Sequence, residues 1–175
     1  DKGTFTPVQQ DLFDNIGMVT DAIWDDYNKD GQEDLIIVGE WMEPLFLKNE
    51  KGIFTKQSVL TEKMDGLWQS IIEFDVDGDG DHDYLLGNWG LNSKFKASRD
   101  YPMKMYYNDF DANGQSETII AIEKNRNYYP FDSFDMLAGQ IVSLRKKFTS
   151  YESFAGKTIN EIFTEDQLNK SVVFT

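Results

Sequence analysis

The chain has 175 residues, enough to bury a core as one domain or as part of a larger one. Its net charge of −14 argues against nucleic acid and against anionic membrane surfaces as partners. It has no cysteine, which excludes disulfides and zinc–thiolate sites, and no apolar run long enough to span a membrane.

The first predicted element is a strand, Met18 to Trp24. It leads into an acidic nonamer, Asp26-Tyr27-Asn28-Lys29-Asp30-Gly31-Gln32-Glu33-Asp34. Leu35 to Gly39 leads out as a second strand, Pro44 to Lys48 is a third, and Ile53 to Gln57 is a fourth. Asn49-Glu50-Lys51-Gly52 supplies turn chemistry between the last two. Four short strands make the blade of a β-propeller.

The pattern then recurs. Lys2-Gly3-Thr4-Phe5-Thr6 matches Lys51-Gly52-Ile53-Phe54-Thr55 at an offset of 49. Gly17 matches Gly66, and Asp26, Asp30, Gly31 and Asp34 match Asp75, Asp79, Gly80 and Asp83 at the same offset. A repeat of about fifty residues points to a propeller or a solenoid. The second copy predicts strands Leu67 to Phe74 and Tyr84 to Gly87 around a second nonamer, Asp75 to Asp83. A polar connection and Met103 to Tyr107 follow. A third nonamer, Asp109 to Glu117, begins 34 residues after the second, so it belongs either to the second blade or to a third that starts early.

Each nonamer carries oxygen side chains at its first, third, fifth and ninth positions and glycine at its sixth. Asp75, Asp77, Asp79, Asp81 and Asp83 cannot stay together without a counter-charge. A hard divalent cation with many oxygen ligands resolves the repulsion, and calcium fits best. Each such ion offsets two charges, so three would bring the net charge to about −8. An EF-hand closes with a bidentate Glu at position twelve between helices. Position twelve here is Ile37, Leu86 or Ile120, and apolar, partly β-branched runs follow each loop, Thr118 to Ile122 after the third. These are strand–loop–strand sites for two to three structural calcium ions. The second has four carboxylates at the first, third, fifth and ninth positions against three in each of the others, and is expected to bind most tightly, because affinity rises with ligand charge. The third is expected to bind least, because Glu117 must reach with an extra methylene.

From Asp132 the expected structure is helical. Leu137, Ile141, Leu144 and Phe148 fall on one helical face, with Asp132 or Ser133 as cap. Thr158 to Glu161 and Thr164 to Gln167 have capping-box spacing, which predicts two short helices. Ser171 to Thr175 reads as a strand with no partner inside the chain.

The stretches DYNKDGQEDLIIVG, DVDGDGDHDYLLGN and DFDANGQSETIIA resemble the FG-GAP or VCBS repeats also found in integrin α-chain propellers. The segment from Tyr128 looks like the helical insert of bacterial secreted VCBS-repeat proteins, often joined to an ASPIC/UnbV-like domain. The resemblance implies calcium ligands at the first, third, fifth, seventh and ninth loop residues. These are Asp26, Asn28, Asp30, Gln32 and Asp34; Asp75, Asp77, Asp79, Asp81 and Asp83; and Asp109, Asp111, Asn113, Gln115 and Glu117.

The fold expected is therefore mostly β, a partial β-propeller of about two to three four-stranded blades with a small α-helical insertion. Residues 1–123 would form the blades, 124–171 an insertion packed on them, and 172–175 the start of the next strand, the whole being a fragment of a larger propeller. The function implied is a calcium-binding, non-catalytic repeat module that binds a protein or glycan. Its setting would be extracellular, periplasmic or at the cell surface, where calcium is plentiful, with any export signal upstream. The alternative is a piece of a propeller enzyme such as a polysaccharide lyase. With His82 as the only histidine and no cysteine, nucleophilic triads have little material. His82 is read as a solvated loop residue. Trp24, Trp41, Trp68 and Trp89 are read as packing between blades in preference to stacking on sugars.

Overall fold

The computed structural model describes Gly3, residues 7–90 and residues 92–175, so the Lys2–Thr6 copy of the repeat, apart from Gly3, lies outside the described residues. The fold is mostly β, a partial β-propeller-like arrangement of antiparallel strands with a few short helices. The chain divides into two compact units, with the boundary in the sequence between Trp89 and Gly90.

In the first unit, β1 (Met18–Asp25), β2 (Asp34–Met42), β3 (Leu45–Glu50) and β4 (Ile53–Gln57) form a four-stranded antiparallel meander. All four match the predicted strands to within a few residues. The run Leu35-Ile36-Ile37-Val38 is apolar at every position because β2 is covered on both faces. Leu35, Ile37, Met42 and Leu47 pack under Leu12, Phe13 and Ile16. Ile36, Val38 and Phe46 pack against Ile71, Trp68, Tyr84 and Leu86. Trp68 and Ile71 come from β5 (Gly66–Phe74) and Tyr84 and Leu86 from β6 (Asp83–Asn88), an antiparallel pair joined to the end of β2 through Glu40–Leu67 and Met42–Gly66. Trp41 takes a φ of 58° at this junction, where the pairing register shifts. On the outer edge of β4, the Gln10 side chain accepts from the Phe54 N–H at 2.8 Å and donates to the Gly52 carbonyl at 2.9 Å.

The second repeat supplies only β5 and β6; the described residues between Trp89 and Met103 form no strand. The third nonamer opens a separate sheet in the second unit. Its strands are β7 (Lys104–Asn108), β8 (Glu117–Lys124), β9 (Asn127–Pro130) and β10 (Val172–Phe174), in the order β10-β7-β8-β9. Strand β9 is additional to the sequence reading; Asn125 and Arg126, with φ of 54° and 64°, make the tight turn that brings it back on β8. The strand at 172–174 forms, but the expectation that it lacks a partner is overturned. The helices return the chain to the free edge of β7, where Val172 pairs with Tyr107 and Phe174 with Met105.

The expected long helix is two, α1 (Phe134–Gln140) and α2 (Leu144–Lys147). Ile141 leaves the helical region with a φ of −115°, where a glycine and two β-branched residues fall close together. The stripe survives the break, since Leu137, Ile141, Leu144 and Phe148 are all buried with Tyr106, Ile119 and Ala121 of the sheet. Ser133 caps α1, as expected. A helix not foreseen, α3 (Tyr151–Phe154), is capped by reciprocal bonds between Ser150 and Ser153. The two capping-box helices form as α4 (Ile159–Ile162) and α5 (Glu165–Lys170). Glu161 accepts from the Thr158 N–H at 2.9 Å and Gln167 accepts from the Thr164 N–H at 2.8 Å.

Candidate metal-binding loops

The three nonamers each join two antiparallel neighbours: β1 to β2, β5 to β6 and β7 to β8. Each closes in the same way. The first-position carboxylate collects backbone N–H groups from the loop, and one of them is always the sixth residue's. Asp26 accepts from Asp30 at 2.9 Å and Gly31 at 2.8 Å. Asp75 accepts from Gly78 at 2.7 Å and Gly80 at 3.0 Å. Asp109 accepts from Asn113 at 3.0 Å and Gly114 at 2.8 Å. The fifth-position oxygen takes the N–H of the seventh residue: Asp30 from Gln32, Asp79 from Asp81, and Asn113 from Gln115. Gly31, Gly80 and Gly114 have φ of 86°, 90° and 89°, beyond the left-handed basin that other residues tolerate. This is why glycine stands sixth each time.

In the second and third loops the first, third and ninth positions converge. In the second loop, carboxylate oxygens of Asp75, Asp77 and Asp83 lie within 4.8 Å of one another, and in the third loop those of Asp109, Asp111 and Glu117 do the same. Asp79 and Asp81 stand outside that trio. In the first loop Asn28 replaces the third-position acid. Its amide donates to Asp34 at 2.6 Å, and Asp34 also accepts the Asn49 N–H at 2.7 Å. Asp34 is fully buried, and burial pushes its pKa up. The fifth-position Asp30 lies 3.5 Å from the Lys48 ammonium, and the Gln32 side chain accepts from the Lys51 N–H.

The trios fit a hard cation. Asp111 Oδ1 is buried with no hydrogen-bond partner, an arrangement that costs free energy unless a cation or water meets it. Glu117 is buried as well, and its carboxylate accepts from the Phe110 N–H at 2.9 Å. The longer side chain at this ninth position still reaches the trio.

Residues 26–86 match the family model of the FG-GAP-like repeat. The match starts on Asp26 and ends on Leu86 in β6, so it takes in the first two loops and the strands between them; the third loop lies beyond it. No curated protein and no solved structure gives a significant match. The FG-GAP-like repeat is a β-propeller module of adhesion and binding proteins.

Within that repeat lie residues the sequence pattern did not single out. Asp25, the last residue of β1, sits 2.8 Å from His82 Nδ1 through one oxygen and accepts from the Tyr84 hydroxyl through the other. His82 is therefore partnered as well as exposed. Lys29 of the first loop lies 3.5 Å from Asp81 of the second. These pairs span more than fifty residues, and only the repeat offset hinted that the loops are neighbours. The tryptophans divide. Trp68 is half-buried, with its indole N–H on the Met64 carbonyl, whereas Trp24 and Trp89 are exposed. Among the described residues no helix is long and apolar enough to cross a membrane.

Proposed function

We propose that this chain is a calcium-binding β-propeller repeat module, non-catalytic, that serves a secreted or surface protein in binding a protein or glycan. The observation that carries the reading is the pair of loops, the second and third, whose first, third and ninth carboxylates face one another, with a buried unpartnered oxygen on Asp111. Bound calcium would supply the counter-charge that the carboxylates lack and tie each loop's two flanking strands together. Asp75, Asp77 and Asp83, and Asp109, Asp111 and Glu117, would hold it, with Asp26, Asn28 and Asp34 forming the first site. The match to the FG-GAP-like repeat supports a role outside the cell, and the helices at 134–170 support the bacterial secreted VCBS type. Trp24, exposed though its ring also meets Phe54, offers part of an apolar face to a ligand.

Titration calorimetry tests the metal reading: two to three calcium ions per chain are expected, with magnesium much weaker. Absence of any calcium heat would overturn it. The binding role is tested by probing the immobilised chain with a polysaccharide panel and with extracellular-matrix proteins, in calcium and in chelator. Calcium-dependent retention supports it, and turnover of a polysaccharide to unsaturated ends would favour an enzyme instead.

A further inference from the structure

We infer that Asp25 is a positioning residue shared by the first two loops, so that a cation in either loop strengthens binding in the other. The inference rests on the calcium reading above and concerns residues that are not themselves ligands. Asp25 immediately precedes Asp26, the first ligand position of the first loop. Its two partners, His82 and Tyr84, bracket Asp83, the ninth position of the second loop. One carboxylate thus grips both sides of a ligand residue in one loop while it abuts a ligand residue in the other.

The clasp is sheltered. The Asp25 side chain is only 11% exposed, and both of its oxygens are engaged. The Tyr84 ring is held edge-on against Phe46. The Tyr84 hydroxyl donates to Asp25 from beside that ring contact. The Lys29–Asp81 pair is a second tie, but both side chains are more than half exposed, and such pairs contribute little.

Fixing Asp83 on a cation fixes His82 and Tyr84, and through them Asp25 and the start of the first loop. The second binding event then has less chain to order. Coupling of this kind is reciprocal, the same factor applying in both directions. Repulsion between two bound cations opposes it, so the clasp must outweigh that term to be seen. The third loop belongs to the other compact unit and serves as an internal control.

The experiment is calcium titration by calorimetry on the full chain. First-loop affinity is measured with the second loop intact or disabled by Asp75→Asn with Asp77→Asn. Second-loop affinity is measured with the first intact or disabled by Asp26→Asn with Asp30→Asn. Disabling either loop should weaken the other about fivefold, by the same factor each way. In a Tyr84→Phe, His82→Ala background the cross-effect should fall below twofold, and His82→Gln, which keeps a donor, should restore part of it. Tyr84→Phe retains the ring contact; melting curves in chelator establish that each variant is folded, and Tyr84→Phe alone suffices if the double variant is not. Calcium binding with no cross-effect, or a cross-effect equal in both backgrounds, overturns the coupling and leaves the calcium reading standing. A wild-type chain that takes up no calcium overturns both.

Discussion

The second and third loops share one motif and stand on different supports. The second projects from the two-stranded β5–β6 pair, and Asp75, Asp77 and Asp83 are all exposed. Nearby Ile72 and Leu85, cross-strand partners, are 56% and 60% exposed. The third has Asp109 and Asp111 half-buried and Glu117 buried. It is backed by helices: Phe110 stacks on Phe163 at 4.5 Å, and Gln167 donates to the Phe110 carbonyl at 2.6 Å. The nonamer thus specifies the turn and the converging oxygens, and the surroundings decide how far a bound ion's influence reaches. From the third loop, hydrogen bonds lead into α5 through Gln167 and, through Ser171 on the Gln167 carbonyl, to the start of β10, so an ion bound there would act on both.

The largest expected effect sharpens this contrast. Leu144→Asp places a charge in the core beneath the sheet and should cost about 3–5 kcal/mol by urea denaturation. Leu85→Asp beside the second loop should stay within about 0.5 kcal/mol. Comparable losses would erase the distinction between the two supports. On the same ground, residues 128–170 expressed alone should show no cooperative melt, because so short a segment needs the sheet to cover its apolar stripe.

Chelation comes next. Calcium at about a hundred times its dissociation constant adds about 2.7 kcal/mol per site, so melting should rise by several degrees between chelator and millimolar calcium. Hydrogen exchange should locate the difference. Protection in α5 and β10 should fall with chelator, and more than in β5 and β6. Uniform loss across both units breaks the comparison.

A smaller effect separates two glycines of the second loop. Sequence alone assigns the special backbone to the sixth position, yet Gly78, the fourth, also has a positive φ, 79°. Lys29 and Ala112 hold the equivalent position at 59° and 58°, inside the left-handed basin, so a side chain is tolerated there. Gly80→Val should therefore weaken calcium binding more than Gly78→Ala, by about 1 kcal/mol; equal affinities would show that the turn geometry is indifferent.

The finest test is the order of affinities. Charge places the second loop above the first, so Asp79→Asn should lose more affinity by calorimetry than Asp30→Asn. The first and third loops each carry three carboxylates at these positions, and burial and anchoring in the third oppose the extra methylene of Glu117. A third-loop affinity above the first would show that preorganisation outweighs the longer reach of Glu117 here.

The parts of the molecule that were legible in the sequence are the locally written ones. The strands flanking each loop and the caps at Thr158 and Thr164 follow from neighbours a few residues apart. What escaped was set at a distance. The separate sheet of β7 to β10, the return of Val172 to Tyr107, and the Asp25–His82–Tyr84 clasp join residues that no short period relates. The break at Ile141 escaped for another reason: the apolar spacing stayed intact while the backbone left the helix.

Gln10 carries a last consequence. Its side-chain amide presents one acceptor and one donor to the outer edge of β4, as a peptide group of a neighbouring strand would. The edge of a sheet is a template on which another molecule can add a strand. Here one rung of that template is already filled from within the chain, and Gln10→Ala would vacate it. Gln10 thus holds, from within the chain, an edge position that an added strand would need.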